Sequence, residues 1–204
     1  MEFWFDFAST YSYPAAARIE REAQSRGITL QWKAFLLGPI FREQGWSDSP
    51  FNLFADQGRY MWRDLERVCH DAELPYQRPS QFPRNGLLAA RVACGFQEAD
   101  WVPAFVRAVF RANFEQDLDI ADAAVVGACL DGLGLDGDSV LAEAQTPVAK
   151  ARLADQTAQA RAQHLFGAPS FVVAGELFWG NDRLLQALAA AEMARDRGAE
   201  PPAT

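Results

Sequence analysis

The chain has 204 residues, half of them apolar and 23% charged, which is enough hydrophobic mass for a real core and excludes a disordered polymer. Its net charge of −8, with no run of Lys or Arg, argues against nucleic acid as a partner, because phosphate binding rests on grouped cations. No apolar run approaches the roughly 20 residues of a bilayer span. The opening Glu2-Phe3-Trp4-Phe5-Asp6 also lacks the basic start of a secretory leader, so the cytoplasm is the expected compartment.

Residues 2–7 alternate Phe3, Phe5 and Phe7 against Glu2, Trp4 and Asp6, a strand pattern. A loop holding Ser9 leads into helical sequence from Tyr11 to Ser25, with Arg18, Glu20, Arg21 and Glu22 as its wet face and Gly27 as its stop. Pro14 sets that helix to begin near Tyr13 or to kink there. A second alternation over 28–36 predicts a second strand. Leu37-Gly38-Pro39 ends this β-α-β unit, and a looser stretch rich in Gly, Ser, Asp and Pro runs to Asn52.

The period then becomes helical. Met61, Leu65, Val68 and Ala72 form one apolar stripe, and Pro75, Pro79 and Pro83 make a bend before a helix over Arg84–Phe96. Further stripes run through 102–110 and 125–133, and Thr146-Pro147 opens a long Ala-rich helix reaching Leu165. Strand pattern returns at 171–174 and 177–179, and Gly180-Asn181-Asp182 opens the last helix before a frayed tail from Gly198. Strands at both ends with helices between them predict an α/β, thioredoxin-like fold with an inserted all-α domain. Residues 1–45 and 166–204 make the thioredoxin-like part and 46–165 the insert.

Gly167-Ala168-Pro169 marks a sharp bend into the strand after it, with a cis bond before Pro169 and the Ala168 N–H and C=O turned outward. In such a fold the loop after the first strand faces this bend from a helix N-terminus, where oxidoreductases keep Cys-x-x-Cys. Here it reads Ser9-Thr10-Tyr11-Ser12, which excludes dithiol chemistry and implies that a thiol arrives with the ligand. Cys69, Cys94 and Cys129 have neither paired nor metal spacing and read as small buried thiols. His70 and His164 are too separated for a metal site and read as surface or helix-end residues, and no nucleophile-elbow motif supports a serine hydrolase.

The stretches Phe5–Tyr13, Phe35–Phe41, Tyr60–Leu65, Phe166–Pro169 and Phe178–Leu184, in that order, resemble the 2-hydroxychromene-2-carboxylate isomerase family and its relatives, the kappa-class glutathione transferases. The resemblance implies a homodimer of DsbA/kappa type that binds glutathione between the serine loop and the proline bend. It implies that Ser9 is the active-site serine, and that Ala168 and Pro169 dock the cysteinyl part of glutathione. Asn181, Asp182 and Arg183 then take its γ-glutamyl end. The substrate implied is a small aromatic carboxylate and the reaction a glutathione-dependent cis–trans isomerisation. A kappa-like transferase and a non-catalytic thioredoxin-like binding module are the alternatives. Thr10 replaces the family's usual proline, and Trp46 falls where kappa enzymes carry a glutathione-binding Asn. Trp46, Phe51 and Phe54 are candidate walls for a flat substrate, and Lys33 or Arg84 are candidate cations for its carboxylate.

Overall fold

The computed structural model describes residues 1–199, without the side chains of 198 and 199; most of the tail from Gly198 therefore lies outside the described residues. Four strands, β1 (Glu2–Phe5), β2 (Gln31–Ala34), β3 (Ser170–Val173) and β4 (Glu176–Trp179), form one mixed sheet in the order β2-β1-β3-β4. β2 runs parallel to β1, while β3 and β4 are antiparallel to their neighbours. Helix α1 (Ser12–Gln24) crosses between the parallel pair, and α10 (Leu184–Ala199) follows β4 through a 3-10 turn at Asn181–Arg183. This is the thioredoxin-like arrangement the sequence predicts.

Both faces of β1 are covered, so the strand is buried along its length from Phe3. Phe3 and Phe5 join Trp32 and Phe171 in the main core, while Trp4 points the other way into a smaller cluster with Phe35, Ile40, Ala160 and Leu165. Alternation therefore separates two apolar faces here, not a dry face from a wet one. β2 is an edge strand whose free backbone is answered from α9 (Pro147–Ala162). Gln156 donates to the Ala34 carbonyl at 2.6 Å, and Thr157 Oγ1 accepts from the Leu36 N–H at 3.3 Å.

The connecting helices begin earlier than the sequence suggests. The stretch 37–52, expected as loop, contains α2 (Leu37–Glu43) and α3 (Pro50–Leu53). The Leu37 N–H at the start of α2 is accepted by the Asp6 carboxylate at 2.8 Å, and Pro39 sits in the first turn, where no intrahelical N–H is needed. Ser49 caps α3 ahead of Pro50. There follow α4 (Ala55–Asp71), α5 (Leu87–Gly95), α6 (Val102–Phe114), α7 (Ala123–Asp131) and α8 (Gly137–Ala144). Helix α8, which was not anticipated, is capped by the Asp136 carboxylate on the Ser139 N–H. The strand predicted over 28–36 contracts to 31–34.

Helix α1 begins at Ser12 and keeps Pro14 in its first turn, so no kink is needed. His164 lies exposed just past the end of α9 with φ of 59°, and Leu165 and His164 donate back to Ala160 and Arg161, closing the helix. Cys69 and Cys94 are buried and Cys129 half-buried, all unpaired; burial pushes the first two thiols up to about 12 and about 11. No helix among the described residues is long and apolar enough to cross a membrane.

Candidate active site

The loop after β1 is built around Asp6. This carboxylate is buried and accepts the Ala8 N–H through Oδ1 and the Leu37 N–H through Oδ2, both at 2.8 Å. Its side chain thus ties the start of α2 to the turn that presents Ser9, whose own N–H closes that turn on the Asp6 carbonyl at 2.9 Å. Desolvation raises the Asp6 pKa, and the two N–H donors only partly offset that.

Ser9 stands at the mouth of α1. Its Oγ donates to the Ala168 carbonyl at 2.8 Å and accepts from the Ser12 N–H at 3.3 Å, so one hydroxyl joins the helix start to the bend at 168–169. The Ala168–Pro169 peptide is cis, as the sequence predicts. The Ala168 carbonyl, expected to be free, is engaged by Ser9; the Ala168 N–H has no partner among the described residues. Behind the bend, Ser170 Oγ holds the Gly167 carbonyl at 2.8 Å and the Gly180 N–H donates to the Pro169 carbonyl at 2.9 Å. Gly167 is needed for space, since a Cβ there would come within 2.3 Å of the Trp179 indole nitrogen.

These groups open on a cavity of about 1090 Å³. Ser9, Ala168, Asn181, Asp182 and Arg183 line it from the sheet side, and Phe41, Arg42, Trp46 and Phe51 line it from α2, α3 and the segment between them. Phe54 packs edge-on against Trp46 outside the lining. Asn181 is buried, with its main-chain and side-chain oxygens held by Arg18 at 2.7 and 3.0 Å. Arg18 is therefore turned into the fold, not onto the wet face expected for it. Asp182 and Arg183 form an exposed pair at 3.4 Å.

Neither proposed carboxylate cation stands ready in the cavity. Lys33 does not line this cavity but a separate groove, with Glu20, Glu98 and Asp100. Period-2 alternation fixed its side but not which element covers that side. Arg84 does line the cavity, yet its terminal nitrogens are spent on Asn113, Ser80 and Asp117. Sequence reasoning missed Arg42, a cavity-lining guanidinium with no hydrogen bond or ion pair among the described residues. It missed the Tyr11–Asp64 contact as well, a 2.7 Å bond between two lining residues that joins the serine loop to α4; burial, and then this bond, raises the phenol pKa. Nothing local flags either: Glu43 directly follows Arg42 and would be taken for its partner, yet it pairs with Arg161.

The sequence matches the DSBA-like thioredoxin domain over residues 1–191, which defines the class of the fold. Over 194 residues it is 30% identical to a 2-hydroxychromene-2-carboxylate isomerase of Pseudomonas putida, covering 90% of each chain. A solved structure of 2-hydroxychromene-2-carboxylate isomerase superposes with a TM-score of 0.84 at 24% identity, covering 97% of each chain. A shorter match, 30% over 83 residues, is to glutathione S-transferase kappa 1 of Caenorhabditis elegans, covering 40% of this chain and 36% of that one. The chain thus belongs to the 2-hydroxychromene-2-carboxylate isomerase family within the DSBA-like thioredoxin class.

Proposed function

We propose that this protein is a glutathione-dependent isomerase that converts 2-hydroxychromene-2-carboxylate to trans-o-hydroxybenzylidenepyruvate in aromatic catabolism. The observation that carries this reading is the serine hydroxyl 2.8 Å from the Ala168 carbonyl, where dithiol relatives of the fold keep cysteine. The Ala168 N–H, without a partner among the described residues, suits the backbone of a bound peptide, as in β-strand addition. Glutathione lies along 168–169 with its γ-glutamyl end toward Asn181, Asp182 and Arg183. The Ser9 hydroxyl rotates from the carbonyl to the sulfur and donates to the thiolate, which lowers the thiol pKa.

The hemiketal ring opens first, its ring C–O bond breaking as the 2-hydroxyl proton passes to the phenol oxygen, and the thiolate then adds to the conjugated C=C of the open cis ketone. A C–S bond forms and the π electrons move onto the neighbouring ketone as an enolate. Rotation about the resulting single bond follows. The enolate then collapses, expels the thiolate and restores the double bond in the trans form. Arg42 holds the substrate carboxylate, and Trp46 and Phe51 flank the ring. The enzyme acts as a homodimer, as the family resemblance implies, and works in the cytoplasm.

The test is conversion of 2-hydroxychromene-2-carboxylate by the dialysed protein with and without glutathione. Trans product formed only with glutathione is expected; conversion at an equal rate without it, or none with it, overturns the reading. The kappa match favours a second reading, conjugation of small electrophiles. A stable adduct from a chloro-aromatic, with the chromene untouched, would select it.

A further inference from the structure

The backbone that leads into Ser9 is held from a second direction by a buried polar chain. The Phe7 carbonyl, two residues before Ser9, accepts from Asn113 Nδ2 on α6 at 3.1 Å. Asn113 is 2% exposed and Phe7 1%, so bulk water does not reach that carbonyl. The amide of Asn113 is fixed in turn by Arg84, whose Nη1 donates to Asn113 Oδ1 at 3.1 Å and to its main-chain oxygen at 3.2 Å. Arg84, 5% exposed, is anchored beyond that by Asp117, to which Nη2 donates at both the carboxylate and, at 3.1 Å, the carbonyl. Ser80 completes the chain by donating to Asp117 through its N–H and hydroxyl. Two residues past Arg84, Gly86 packs so closely under Phe7 that a Cβ would come within 2.6 Å of the phenylalanine Cβ.

A guanidinium and an amide are costly to bury, and an apolar pair would fill the same space at no electrostatic cost. What an apolar pair would not supply is a directional hold on the Phe7 peptide. With Asp6 holding the Ala8 N–H and the Ser9 N–H, the backbone from 7 to 9 is pinned from both faces. We propose that Arg84 and Asn113 are positioning residues that fix the Ser9 loop, so that its hydroxyl is aimed at the proline bend and at the sulfur bound there. This rests on the glutathione reading for its chemical consequence but not for its structural one.

Asn113→Asp separates the two roles. The carboxylate keeps an acceptor for Arg84, so the fold holds, but it presents oxygen in place of the amide donor to the Phe7 carbonyl. Hydrogen exchange at the Ala8 and Ser9 amides of the full chain is expected to speed up in this variant, with α9 unchanged. In the glutathione complex, kcat is expected to fall about 10- to 100-fold with little change in glutathione KM, as for a displaced reacting group. The thiol titration should move toward that of free glutathione. Asn113→Leu is expected to add a loss of thermal stability to the same kinetic change. Unchanged exchange at Ala8 and Ser9 in Asn113→Asp overturns the proposal whatever glutathione does. Faster exchange with unchanged kcat and thiol titration in an active parent also overturns it, leaving the network purely structural. A parent that binds no glutathione sinks the functional reading alone, and the exchange result then decides this one.

Discussion

Ser9 and Ala168, 159 residues apart in sequence, share a hydrogen bond of 2.8 Å from the serine hydroxyl to the alanine carbonyl. That bond closes the gap between the helix start and the proline bend, and it occupies the acceptor that a peptide ligand would otherwise find open. A ligand with its own thiol must compete for the Ser9 proton, which gives the hydroxyl two alternative acceptors.

Ser9→Ala removes the donor and leaves the bend in place. Glutathione is expected to bind with near-normal affinity, while the bound thiol titrates at higher pH and kcat falls about 100-fold or more, the loss seen when one donor to a developing or resident anion is deleted. Stability should drop by only about 1 kcal/mol, the net value of an ordinary hydrogen bond. Thiolate absorbance of the complex followed against pH, beside a thermal melt, measures both. A full rate in this variant would remove Ser9 from the chemistry.

Arg42→Gln tests the substrate end of the cavity. A guanidinium that meets a carboxylate in ground state and transition state alike contributes uniform binding. The variant should show an aromatic-acid KM raised about tenfold or more, the scale of a charge-assisted hydrogen bond, with kcat and glutathione KM unaltered. Steady-state kinetics with each substrate varied in turn decides it. An unchanged acid KM would send the assignment elsewhere, with Arg183 next.

Gly167→Ala places a methyl within 2.3 Å of the Trp179 indole nitrogen. Trp179 is half exposed and pairs edge-to-face with Phe166 at 4.8 Å, so the ring is able to swing outward. The stability cost is therefore expected at about 1 kcal/mol, the low end for overpacking. The larger effect falls on the cavity rim. Trp179 becomes more exposed, seen as a red shift in fluorescence, and glutathione KM rises. A blue shift with unchanged KM would contradict the close approach.

Asp6 gives the protein a pH signature. Burial raises its carboxyl above the ordinary value of 3.8, so between that value and its native one the folded chain holds a proton that the unfolded chain has released. Stability contributed by this group is full below 3.8 and declines as pH rises through the window, the reverse of a salt-bridged carboxylate. Asp6→Asn should remove that downward component, so that the difference between parent and variant melting temperatures shifts against the parent as pH rises through the window. Melts at a series of acidic pH values check it. A difference constant with pH would mean that Asp6 titrates alike in both states.

Much of this molecule was written locally. Alternation at 2–7 and 171–174 marked β1 and β3, Gly-X-Pro marked the bend at 168–169, and Thr146-Pro147 marked the start of α9, because each signal is a steric or hydrogen-bonding preference of a few adjacent residues. Ser9 in place of a thiol was equally plain. What tertiary structure alone decided was where the polar side chains went. Arg18 turned to Asn181, Arg84 sank onto Asn113 and Asp117, Lys33 faced a second groove, and α2 was seeded by a carboxylate 31 positions upstream. A long charged side chain has similar local preferences wherever it sits on a helix or strand. Its partner is set by which distant element packs over it, and that is a property of the folded core and not of any window of sequence.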